Sequence, residues 1–451
     1  MPSADLIIRG GTVVTSANAS RISLVVKGGR LTSFGEDGLS AERVIDATGL
    51  HVLPGVIDAH VHLRDPGLTY KEDFSTGTEA AAAGGVTCVF DMPNNIPPTN
   101  DAASMDAKMN LAKSKAIVDF GLFGLLKPDG LKDIRGMASS GAIGFKCYMG
   151  ETTGGNLPPK DEELVEQFAE VASLGMRVSV HAESNAIIGY LTKRLRSSGR
   201  TLPRAHYEAR PSEAEEEALV RAMLYARVTA CPLHIAHLSS QRGVELTEDA
   251  KRSGGNVTVE TAPQYLLLDE TRYADLGARM KINPSIKTRS DRAALWDAID
   301  SNTVDMIVSD HSPHALAEKE KRDVFESPSG FPGLETLVPL MLTQVNLQRI
   351  SLPKFVRISS FGPAKAWGVY PRKGTVEIGS DADFTIVDMK AKSRIDPSKF
   401  RSKAKWSPFD GAEVEGLPVY TISRGRVVMD HGEIDKTVRG EPVARESFST
   451  A

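Results

Sequence analysis

His60 and His62 stand one residue apart in Val56-Ile57-Asp58-Ala59-His60-Val61-His62-Leu63-Arg64, directly after Pro54-Gly55. A Val- and Ile-rich run behind a turn reads as a buried strand. Side chains two apart on a strand share a face, so both imidazoles project together near its C-terminal end. Two neutral imidazoles side by side can hold one transition metal. The same spacing also suits core or surface histidines that merely alternate. Similar groups close other apolar runs. Lys146 lies in Gly144-Phe145-Lys146-Cys147-Tyr148 and His181 in Val178-Ser179-Val180-His181. His237 lies in Leu233-His234-Ile235-Ala236-His237 and Asp310 in Met306-Ile307-Val308-Ser309-Asp310.

The elements that must position these groups alternate. From residue 55 the chain reads as strands near Val86 to Asp91, Ile117 to Leu122, Ile143 to Tyr148, Arg177 to His181, Leu233 to His237, Val257 to Thr261 and Asp305 to Asp310. Helical stretches fall between them, among them Asp161 to Leu174 and residues 212–229. With the His60 strand this makes eight β/α units, the pattern of a parallel sheet closed into a (β/α)₈ TIM-type barrel. Barrel active sites form at the C-terminal strand ends. Six candidate ligands from five strands converge on that rim. A single histidine at a strand end is usually a hydrogen-bonded structural residue; six groups together point to a metal site.

Residues 1–54 read as β-structure, with Gly10-Gly11 and Gly28-Gly29 as turns between short strands. The segment 366–451 turns β-rich again, with strands expected at Gly374 to Gly379, Asp383 to Val387, Pro418 to Ile422 and Arg426 to Met429. Both chain ends are expected to build one small β-sandwich beside a barrel spanning 55–365.

Composition narrows the class. The chain has 451 residues, enough for a large domain and a smaller one, and a net charge of −4, which suits neither a nucleic-acid nor an anionic-membrane surface. No apolar run approaches the ~18 residues of a membrane span. Three scattered cysteines, Cys88, Cys147 and Cys231, suit a reducing compartment, so a cytoplasmic location is expected.

Lys146 has a chemistry of its own. Its flanks, Ile143, Phe145 and Cys147, suggest burial, and a desolvated amine is a nucleophile able to capture carbon dioxide as a carbamate. A snorkelling lysine or a substrate-binding cation fits the same spacing.

On these motifs the chain resembles the amidohydrolase superfamily, in its cyclic amidohydrolase branch of dihydroorotases, allantoinases, hydantoinases and dihydropyrimidinases. The likeness runs from Gly55-Val56-Ile57-Asp58-Ala59-His60-Val61-His62 to Gly379-Ser380-Asp381-Ala382-Asp383-Phe384. It implies two divalent ions, zinc by default. His60, His62 and Asp310 would hold one and His181 and His237 the other, with carboxylated Lys146 bridging them. It further implies that a hydroxide shared by the ions opens a ring amide, with Asp310 as general base. A homodimer or tetramer acting on a small cyclic amide or ureide is expected on the same ground.

Other residues bear on the ring. In the dihydroorotase branch an Arg after the paired histidines, an Asn after Met-Pro and a His four past the aspartate clasp the substrate carboxylate. Arg64, Asn94 and His314 match those positions, and Asn283 joins them as a substrate-binding candidate. Arg64 could equally pair with Asp65 or Glu72, and Asn94 could be a turn residue. Gly330-Phe331-Pro332-Gly333-Leu334-Glu335-Thr336 resembles the same branch. Gly144-Phe145-Lys146-Cys147-Tyr148-Met149 and Arg210-Pro211-Ser212 resemble allantoinases and hydantoinases instead. The expectation is a dihydroorotase of pyrimidine biosynthesis, then an allantoinase of purine catabolism, then a hydantoinase or dihydropyrimidinase. A scaffold pseudoenzyme should lack a ligand position, and none of the six is missing. The Gly- and Pro-rich segment from Gly150 to Lys160 reads as a mobile lid or a static surface loop.

Overall fold

The computed structural model describes residues 3–150 and 157–445. Most of the Gly150 to Lys160 segment therefore lies outside the described residues.

Eight parallel strands form one sheet in which spatial order follows chain order. They are Val56–Val61, Val86–Asp91, Asp119–Leu125, Gly144–Tyr148, Val178–His181, Leu233–Ile235, Val257–Thr261 and Met306–Ile307. The ends of the sheet meet where Val61 bridges His311 in parallel and the His62 amide donates to the His311 carbonyl at 2.7 Å. Asp58 strengthens that seam, its Oδ1 accepting from the Ser309 amide at 3.1 Å. The strands are buried on both faces, as a helix-covered parallel sheet requires. Helices such as Phe74–Ala83 and Ser212–Thr229 pack outside. Phe74–Ala83 begins at Asp73, whose side chain accepts from the Thr76 amide, so it starts earlier than the Ala run alone suggests.

The chain ends form two further sheets, one of four strands and one of seven. Leu6, Val26 and Leu31 of the first meet Val52, Phe384, Ile386 and Ile422 of the second in a shared apolar core. The seven-stranded sheet pairs N-terminal His51–Pro54 with C-terminal Phe384–Arg394. Gly28 and Gly29, at φ of 60° and 75°, make the tight turn expected between Leu24–Lys27 and Arg30–Phe34.

Two sequence expectations need correction. Gly10-Gly11 does not close a hairpin. Ala4–Arg9 pairs with Leu24–Lys27 and Ala41–Asp46, whereas Thr12–Val14 belongs to the other sheet, so the glycines carry the chain between sheets. Gly374 to Gly379 is not a strand. Gly374 and Gly379 take φ of 79° and 93°, and the Ser380 amide closes a turn on the Glu377 carbonyl, while Val376 still reaches the sandwich core.

Lys373 ties sandwich to barrel. Its buried ammonium lies 2.7 Å from Asp119, 3.2 Å from Asp381 and 2.6 Å from Asp383. Those three carboxylates lie close enough together to hold a cation, and the lysine is the cation among them.

Candidate active site

The expected ligands gather at the C-terminal mouth of the barrel. His60 lies on the first strand, Lys146 on the fourth, and His181 closes the fifth. His62, His237 and Asp310 stand just past the ends of their strands rather than on them. His237 and Asp310 take φ of 36° and 50°, and Arg64 takes 62°. Left-handed backbone at a non-glycine residue costs on the order of 1 kcal/mol or more and persists only where neighbours impose it. Strand alternation therefore does not extend to Arg64.

Hydrogen bonds fix the imidazole tautomers. His60 Nδ1 meets Glu260 Oε1, an acceptor only, so Nδ1 carries the proton and Nε2 is bare. His62 Nδ1 donates to Asn94 Oδ1 at 2.6 Å, which bares its Nε2 as well. Both lone pairs face Asp310 Oδ1, at 3.6 Å and 3.5 Å. Two lone pairs against a carboxylate repel one another unless a cation lies between them. Burial, with Lys146 nearby, drives the His60 pKa down to about 4, and burial pushes that of His62 well below the ordinary value, so both rings are neutral near pH 7. This donor set fits a divalent transition metal.

His181 and His237 form the adjoining pair. His181 Nε2 meets Glu183 Oε2 at 2.9 Å, and its Nδ1 lies 2.9 Å from His237 Nε2. The His237 ring centroid is 5.3 Å from that of His60. Lys146 is fully buried, with no hydrogen-bond partner for Nζ among the described residues, and its Nζ lies 5.4 Å from the centroid of the Tyr148 ring. Burial draws its pKa down to about 8, against the opposing charges of Glu260 and Asp310. A buried amine without a partner is rare. Its surroundings suit a group that extends the side chain and brings oxygen donors.

Two supporting residues, Glu260 and Glu183, were missed from sequence. Glu260, on the seventh strand, holds His60, accepts from the His237 amide at 3.1 Å and meets His234 Nε2 at 2.8 Å. Burial opposes its charge, but His60 and His234 outweigh burial and keep it ionised. Glu183 is likewise opposed by burial yet held down to about 2, chiefly by Arg210. A glutamate inside the buried run Val257–Thr261 was the available signal for the first.

The substrate candidates separate. Asn94 and Asn283 line the cavity at the barrel mouth together with His60, His62, Tyr148, His181, His237, Asp310 and Ser312. Arg64 and His314 stand one layer back. Arg64 Nη2 donates to Ser312 Oγ at 2.7 Å and its Nε to the Pro313 carbonyl at 3.3 Å, while Nη1 is buried without a partner. His314 Nε2 lies 3.0 Å from the Ser329 carbonyl and its Nδ1 3.0 Å from Lys71 Nζ, so the proton belongs on Nε2.

The chain is similar to known proteins over nearly its whole length. A sequence model of the amidohydrolase family matches residues 51–428. The solved L-hydantoinase (dihydropyrimidinase) from Arthrobacter aurescens superposes with a TM-score of 0.95 at 37% identity, covering 98% of this chain and 100% of that one. An allantoinase of Solibacter usitatus is 36% identical over 96% of this chain and 95% of its own. A dihydroorotase of Methanothermobacter thermautotrophicus is 37% identical over 92% of each. With the matched region spanning the whole barrel and the strands His51–Pro54, Phe384–Arg394 and Glu413–Ser423 of the seven-stranded sheet, the chain belongs to the amidohydrolase family.

Proposed function

We propose that this chain opens, or in reverse closes, a ring amide, and that the ring bears a carboxylate, as in the interconversion of dihydroorotate and N-carbamoyl-aspartate. Arg64 carries the reading. Its guanidinium is buried beside the cavity wall, and Nη1 has no partner among the described residues. Guanidinium matches carboxylate in shape and charge. The dihydroorotase likeness over 92% of the chain supports the same substrate.

His60, His62 and Asp310 would hold one divalent ion and His181 and His237 a second, with zinc the default for imidazole and carboxylate donors. Bound there, such ions lower the pKa of an attacking water and polarise a carbonyl. The chain's own groups do the rest. Lys146, as a free amine, adds to carbon dioxide, losing a proton and gaining a carbamate with two anionic oxygens. Burial raises the Asp310 pKa, which suits a carboxylate that takes a proton from water and returns it to the leaving ring nitrogen. Asn94 Oδ1 fixes the His62 tautomer, and Asn283 and Ser312 line the space left for the ring. Glu260 and Glu183 keep His60 and His181 oriented.

A neutral ring, hydantoin or allantoin, is the second reading. The hydantoinase superposition favours it, as does the position of Arg64 behind Ser312. Arg64→Ala separates the two. A carboxylate-reading Arg64 raises the KM for dihydroorotate at least tenfold on loss of its guanidinium. A change below about threefold, ~0.6 kcal/mol, contradicts that role.

A further inference from the structure

Tyr148 is a buried polar residue with no role in the chemistry above. It ends the fourth barrel strand two residues past Lys146, so both side chains leave the same face of the sheet. Lys146 Nζ lies 5.4 Å from the centroid of its ring, and the His181 ring lies 6.0 Å away. Tyr148 lines the cavity that His60, His62 and Asp310 also line. Only 4% of the residue is exposed, and its hydroxyl has no hydrogen-bond partner among the described residues. A buried phenol usually finds an acceptor. The protein supplies none to Tyr148, which leaves that place for a bound molecule.

The kind of molecule follows from its neighbours. A phenol O–H is a donor and needs an acceptor. Arg64 stands behind Ser312, which lines the same cavity as Tyr148. Arg64 Nη1 is itself a buried donor with no partner. One unsatisfied donor, neutral, thus lies in the cavity wall and another, cationic, behind it. A negatively charged acceptor answers both, the phenol by a hydrogen bond and the guanidinium by its charge.

We propose that Tyr148 is a specificity-determining residue whose hydroxyl donates to a carboxylate on the substrate ring and so selects acidic rings over neutral ones. This rests on the carboxylate reading of the site.

Tyr148→Phe removes the oxygen and keeps the ring that packs near Lys146 and His181. The test compares KM for dihydroorotate with KM for dihydrouracil, which lacks the carboxylate, on metal-replete enzyme and variant. It also measures the Kd of orotate, an unreactive acidic ring, by calorimetry. The expected result is a ratio of the two KM values shifted at least tenfold against dihydroorotate, about 1.4 kcal/mol, with orotate binding weakened to match. Equal shifts for both rings, or no shift in either ring or in orotate binding, overturn the proposal. A wild-type enzyme that favours dihydrouracil over dihydroorotate defeats the carboxylate reading first, before any variant is compared, and this proposal falls with it.

Discussion

Glu260 on the seventh barrel strand accepts the Nδ1 proton of His60 on the first, and so turns the bare Nε2 of His60 toward Asp310. Neither residue is near the other in sequence. The contact decides which nitrogen of His60 is available to a metal, and it does so without touching the metal position.

Glu260→Gln should therefore weaken metal binding while leaving all six proposed ligands in place. An amide can accept from His60 or donate to it, so the tautomer is no longer enforced. Loss of such a supporting partner typically costs 10- to 100-fold in metal affinity. Competition titration with a chromophoric chelator reads the change directly, and unaltered affinity contradicts the orienting role.

Lys146→Ala should reduce turnover by at least two orders of magnitude, ~2.7 kcal/mol of barrier. Short carboxylic acids added to the variant should restore part of it by supplying the lost oxygens. The unmodified protein, labelled with ¹³C-bicarbonate, should show a carbamate carbon resonance that the variant lacks. Full turnover in the variant would remove Lys146 from the site's chemistry.

Lys373 gives a prediction about the scaffold. Lys373→Met removes the buried ammonium from Asp383, while Asp119 and Asp381 keep Arg424 and Arg372 as ion-pair partners. Breaking a buried ion pair from one side costs roughly 3–5 kcal/mol. Urea unfolding should show that loss, and restoring the cluster's original net charge with Asp383→Asn in the same chain should recover part of it.

Stability should also depend on pH through Glu335. Burial raises its pKa to about 7, against the Arg401 and Ser402 amides that favour the charged form. The unfolded chain releases this proton near the ordinary carboxylate value, so the folded protein holds the extra proton between the two. The contribution is full below the unfolded pKa and is lost as pH rises through about 7. Because the side chain remains partly exposed, the loss should be on the order of 1 kcal/mol. Glu335→Gln should flatten the dependence of unfolding free energy between about pH 4.5 and 7, and an unchanged slope would count against it.

The barrel was legible because its strands are apolar runs of ordinary length, closed by polar residues, with helices between them. Val86–Asp91 and Val257–Thr261 appear where those patterns put them. The sandwich was less legible. Gly10 and Gly28 look alike in sequence, yet one precedes a change of sheet and the other a tight hairpin. Which of these a glycine serves depends on a partner strand from elsewhere in the chain. At the site, His60 and Asp310 could be found because they close apolar runs. Glu260 and Glu183 could not be assigned, since their roles depend on His60 and Arg210 reaching them across the barrel mouth. The left-handed backbone at Arg64 likewise arises from the loop that carries it and has no signature in neighbouring residue types.

The most direct test of the proposed chemistry is steady-state turnover of dihydroorotate, allantoin, hydantoin and dihydrouracil by one metal-replete preparation. A carboxylate-reading ring hydrolase gives a kcat/KM for dihydroorotate at least tenfold above the other three. Preference for a neutral ring would contradict the role given to Arg64, and turnover of none of the four would contradict the ring-opening chemistry itself.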